Sequence, residues 1–199
     1  MTPFRIFLVA SALASAGQIV GAAPPDAYAQ MAPLDQYLIS DRGTEIALAR
    51  SAAPPAVSAD AKVLVLGRQG YETAVSGRNG FTCVVERSWM SPFDNPEFWN
   101  PRIRGPVCYN PAATRSVLPY TIYRTKLVLM GIAKPQMLEQ IRAAVANKTL
   151  SAPEVGAMSY MMSKHGYLAD QSGAWHSHLM FHIPKADGAT WGRTCPAHR

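Results

Sequence analysis

Six prolines fall between residues 91 and 119 (Pro92, Pro96, Pro101, Pro106, Pro111 and Pro119), and no other stretch of the chain narrows its fold as much. Proline fixes φ and has no N–H to give to a helical turn or a strand ladder. The stretch therefore predicts neither a helix nor a central strand. Phe93, Phe98, Trp99 and Tyr109 stand among the prolines, whereas disordered segments are poor in aromatics. The expectation is one long ordered loop over 91–119, packed on the domain and tied down by Cys108. Loops of that length inside a domain usually carry function, which makes Phe98, Trp99 and Tyr109 a possible binding loop.

The N-terminus reads as a cleavable signal peptide. Arg5 gives a positive start, and 6–16 is an apolar run without a polar face. That run is too short to span a bilayer, which takes about 20 apolar residues. Small residues fit two cleavage sites, after Ala29 and after Ala22, and the first defines a signal segment 1–29 and a single domain 30–199. No later segment reaches the length of a membrane span. The expected setting is periplasmic or secreted.

The net charge is +6, and the arginines are scattered rather than gathered into a run that would track phosphates. Nucleic acid is accordingly not an expected partner. Export favours disulfides. Of Cys83, Cys108 and Cys195, the pair Cys83–Cys108 is favoured because the segment between them needs a clamp, although three cysteines allow three single bridges.

The remaining pattern predicts a single α+β domain: an N-terminal helix, a hairpin-built antiparallel sheet and two or three further helices. A helix is expected over 32–50, a linker turn over 52–59 and a strand at 62–66 (KVLVL). Segments 71–76 and 81–87 flank Asn79-Gly80, a strong hairpin signal. Phe81, Cys83 and Val85 share a face there, so Cys83 points into the core. Helices are expected over 118–130 and from Pro135 to Asn147, and Ser151-Ala152-Pro153-Glu154 reads as a capping box starting another. Segments 157–163 and 175–183 should pair as an antiparallel hairpin.

One constellation suits chemistry. Strand side chains alternate between faces, so His176, His178, Met180 and His182 fall together, opposite Trp175, Ser177, Leu179, Phe181 and Ile183. Imidazoles at that spacing suit Zn or Cu, and a zinc site would need a third ligand, from His182 or from Glu72, Glu86, Asp170 or His165. Met158, Met161, Met162 and Met180 lie on or beside the same hairpin and add soft ligands for copper, although methionine is also a filler of irregular cores. The other reading of the strand is structural. No Gly-x-Ser-x-Gly turn exposes a serine, and Leu66-Gly67-Arg68-Gln69-Gly70 lacks the third glycine of a phosphate loop.

Segments 163–168 (SKHGYL) and 175–181 (WHSHLMF), with the stretch from Asn79 to Trp89, resemble small exported bacterial proteins with no assigned activity. The resemblance implies a Gram-negative envelope or secreted setting and transfers no catalytic residue. No complete catalytic set is visible. The sequence thus points to an exported binding domain for a protein or small-molecule ligand, with a metal-dependent enzyme or Zn/Cu carrier centred on His176 and His178 as the alternative.

Overall fold

Val63, Leu64, Val65 and Leu66 are all buried, so the first strand needs a neighbour on each edge and a layer on each face. The computed structural model describes residues 27–170 and 176–184 and supplies all four. Residues 1–26 of the expected signal segment, and Cys195, fall outside those residues. The described strands are β1 (Lys62–Gly67), β2 (Gly70–Val75), β3 (Thr82–Glu86), β4 (Gly105–Tyr109), β5 (Met158–Met161) and β6 (His178–Phe181). They form one six-stranded sheet in the order β2-β1-β3-β4-β5-β6. With helices on both faces, the architecture is α+β, as the sequence pattern predicts.

The Asn79-Gly80 hairpin is not formed. β2 pairs with β1 through the tight turn between Gly67 and Gly70, and β3 lies on the opposite edge of β1, parallel to it. The two arms expected to pair are therefore separated by β1, and the sheet is mixed rather than wholly antiparallel. The link from β2 to β3 crosses the start of β1. A Cβ on Gly77 would stand 2.1 Å from the Lys62 backbone nitrogen, a closeness only glycine permits. Asn79 serves this crossing: its Nδ2 donates to Val57 O (2.7 Å) and its Oδ1 accepts from Phe81 N–H (3.1 Å).

The expected helix over 32–50 is broken into a 3-10 turn, Leu34–Gln36, and α1, Arg42–Arg50. Asp41 makes the break. Its backbone is extended and its carboxylate accepts from Thr44 N–H at 2.6 Å, an N-cap that starts a new helix. The expected linker turn contains the single helical turn α2 (Pro55–Ser58). Through Ala49 and Ile46, α1 covers the face carrying Val63, Cys83, Val85 and Cys108.

The proline-rich stretch is not one loop. Residues 91–104 run as turns, but 105–109 is β4, and Pro111 and Pro119 open α3 (Pro111–Ser116) and α4 (Leu118–Leu129), where first-turn proline costs nothing. Pro106 sits in a central strand because its missing N–H falls in a gap. The N–H groups of Asn110 and Arg104 point to the β5 side, donating to Met158 O (2.9 Å) and Tyr167 O (2.7 Å). At the level of Pro106 β5 has already left the sheet, with Met162 N–H turned to Ala52 O (2.9 Å). Cys83 and Cys108 face each other across β3 and β4 and are joined by the expected disulfide.

α3, the start of α4 and Ala157 pack over Leu64, Val84, Val107, Tyr109 and Met161 on the second face. Farther along that side, α4 and α5 (Lys134–Ala146) close a cluster around Tyr37, Trp89, Phe98 and Trp99. No helix starts at Ser151. Glu154 instead pairs with Arg115 (2.6 Å), and its N–H donates to Ser116 Oγ (2.9 Å).

Candidate ligand-binding site

β5 and β6 pair as expected, with Met161 opposite His178 and Ser159 opposite Met180. Opposed residues project to the same face of a sheet, so Met161, His178 and Met180 rise together. Leu179 and Phe181 point the other way and are 46% and 63% exposed. Alternation thus holds within β6, but it does not gather the three histidines. His176 precedes the strand, and its carbonyl accepts from His178 Nδ1 at 2.6 Å. His182 follows the strand; its Nε2 lies 3.0 Å from Ser159 Oγ, its ring packs near Tyr109, and burial lowers its pKa. Ser159 is fully buried, so this pair presents no nucleophile. Among the described residues no three of His, Cys, Asp and Glu come together as a metal group. Glu72 is taken by Arg42.

The proposed binding loop is also corrected. Phe98, Trp99 and Tyr109 are 0%, 8% and 3% exposed. Phe98 and Trp99 stack edge-on with centroids 4.6 Å apart, and Trp99 O accepts from the Tyr37 hydroxyl at 2.7 Å. Tyr109 belongs to β4. Aromatic area in so proline-rich a segment is what orders it, and that leaves none of the three on the surface.

What the sheet does hold open is a cleft of about 340 Å³ at the C-terminal end of β3. Met161, Met180 and His178 form one side. Met90, from the 3-10 turn Ser88–Met90, stands on another, with Leu168 at the rim and Glu86 and Gly105 below. Gly105 keeps the floor low. A Cβ there would meet Leu168 Cδ2 at 3.5 Å and Glu86 Cβ at 3.7 Å.

The rim is held by a latch. Arg104 and Tyr167 exchange two backbone hydrogen bonds, of 2.7 and 2.8 Å. Three residues on, the Asp170 carboxylate accepts from Tyr167 and Tyr28 hydroxyls, Arg102 and Asn100 Nδ2. Its own N–H donates to the Glu97 carboxylate, at 2.8 Å to Oε2. The hydroxyls of Tyr167 and Tyr28, then Arg102, hold the Asp170 carboxyl well below the usual aspartate range.

Beneath the cleft, Glu86 accepts hydrogen bonds from the Tyr109 hydroxyl and from Thr121 Oγ1 (2.8 Å). Burial raises its pKa against those bonds and the Arg124 charge. Arg124 is itself pulled down to about 10 by burial. Its guanidinium lies 4.1 Å from the Phe93 centroid and donates to Ser91 O.

The cleft thus brings three thioethers, one imidazole and the Glu86 carboxyl together. Sequence pattern indicates Met161, Met180 and His178 but not Met90, whose side comes from a turn. Glu86, named from sequence only as one of several candidate third ligands, reaches the cleft because it continues the Thr82, Val84 face of its strand. No family model, no curated protein and no solved structure matches this chain, and its function is to be read from this geometry.

Proposed function

We propose that this protein is an exported binding domain whose ligand occupies the methionine-lined cleft. The observation that carries the reading is the cleft itself. Ligand sites are concave, largely apolar, from roughly 300 Å³ upward, and hold a few convergent polar groups. About 340 Å³ walled by Met90, Met161, Leu168 and Met180, with His178, Glu86, Arg87 and Ser91 as the polar residues, meets that description. The Cys83–Cys108 bond supports an oxidising compartment, and the apolar run at 6–16 supports export into one.

The test is titration of the mature protein with the apolar fluorophore 1-anilinonaphthalene-8-sulfonate. Saturable binding is expected, weakened by about tenfold, ~1.4 kcal/mol, when Met180→Trp fills the cleft. Binding that does not saturate, or that Met180→Trp leaves unchanged while the variant stays folded, overturns the reading.

A further inference from the structure

We propose that the cleft binds a soft monovalent cation, Cu(I) or its redox-silent counterpart Ag(I), through the thioethers of Met90, Met161 and Met180, with His178 beside them on the same wall. The inference rests on the cleft being the binding site and names the class of ligand it takes.

Strand register supplies the geometry. Met161 is directly opposite His178, and Met180 is two residues along from His178 on the same face. Opposed Cβ atoms stand about 5 Å apart and alternate residues of a strand about 7 Å apart. Flexible methionine side chains close those spacings onto a single ion. The three residues form a triangle on the sheet, and Met90 caps it from Ser88–Met90.

Ligand chemistry selects the ion. Thioether sulfur is a soft ligand that suits Cu(I) and not Mg(II) or Ca(II). Cys83 and Cys108 are bonded to each other and offer no thiolate, and Glu86 supplies a carboxylate at the cleft floor, with Oε1 accepting from Tyr109 and Thr121. A backbone carbonyl can only accept, so the 2.6 Å contact with His176 O places the proton of His178 on Nδ1.

Methionines also fill cores, but these do not all do so. Met161 is buried at the base, whereas Met90 and Met180 are half-buried on an open wall. The sequence carries a second methionine set beside them, and the structure divides it. Met158 and Met162 belong to other surfaces and do not line this cleft.

The experiment is anaerobic competition for Cu(I) with bicinchoninate, repeated with Ag(I) by calorimetry, on mature protein carrying Cys195→Ser so that no thiol competes. One ion per chain is expected. Met161→Leu with Met180→Leu should weaken binding by about 100-fold, and His178→Ala by about tenfold or more. Leucine conserves volume and apolarity, so the leucine pair should retain its melting temperature. Failure to compete for either ion, or an affinity that the leucine pair leaves unchanged, overturns the assignment. Fluorophore binding without metal binding removes the ion and leaves the cleft as a site; loss of both removes the site as well.

Discussion

Arg87 and Glu45 form an ion pair inside the protein, with Nη2 2.8 Å from Oε1 and side chains 0% and 2% exposed. Around it, Leu66 N–H donates to Glu45 Oε1 at 3.1 Å and Arg87 Nε donates to Tyr37 O at 2.6 Å. One carboxylate thus fixes α1, β1 and the residue after β3 to each other.

A buried pair is costly to break and cheap to replace. Arg87→Met alone should lower the free energy of unfolding by about 3–5 kcal/mol, because the Glu45 carboxylate is left buried and uncompensated. Adding Glu45→Leu should recover most of the loss. Urea denaturation of the three proteins checks this, and a double variant no better than the single one contradicts it.

The pH dependence of stability should carry a contribution of opposite sign from most carboxylates. The folded pKa of Glu86 is raised, mainly by burial. Its contribution is therefore fully present below the ordinary glutamate value and is lost as pH rises through the higher folded value. Glu86→Gln keeps an acceptor for Tyr109 and Thr121 but cannot ionise. It should match wild type in acid and be the more stable of the two at neutral pH. Melting curves of both proteins across pH give the difference, and a gap that widens toward acid would refute it.

The crossing of β1 by the β2–β3 link can be tested at Gly77. Alanine there would place a methyl group 2.1 Å from Lys62 N, so Gly77→Ala should cost about 3 kcal/mol or more. Gly131 is the control. Its φ is +72° and nothing lies within 4 Å of an added Cβ, so Gly131→Ala should cost only about 1 kcal/mol. The opposite ranking in chemical denaturation would mean that the chain does not cross there.

Tyr28 bears on processing. Its hydroxyl reaches Asp170 Oδ2 at 2.5 Å, and its ring packs against the cluster around Tyr37 and Trp99. Cleavage after Ala22 keeps this residue and cleavage after Ala29 discards it. If the expected signal peptide is removed, N-terminal sequencing of the processed protein should start at Ala23. A start at Gln30 would show that the Asp170 latch forms without Tyr28.

Local pattern carried the parts of the fold that are locally determined. The helical spacing over α4 and α5 and the alternation in β5 and β6 are properties of neighbouring residues, and both are found where the pattern puts them. Partner choice is not local. Asn79-Gly80 has the chemistry of a hairpin turn, yet β1 is apolar along its length and takes a strand on each edge, which sends β3 to the far side. Pro106 is admitted to β4 because β5 ends early, a fact about a strand fifty residues away. Of the site, the sequence marks the edge that alternates, but not Met90 or the inward turn of Phe98 and Trp99, which depend on what folds against them.

The wall formed by Met161, His178 and Met180 lies in the last two of the described strands, and β6, at the end of the described sheet order, is four residues long. Marginal strands open locally at a fraction of the free energy needed to unfold a core. β6 should therefore fray while β1, β3 and the disulfide-linked β4 stay closed, and a ligand of the proposed cleft would exchange by that local opening rather than through the cooperative unit that holds the sheet.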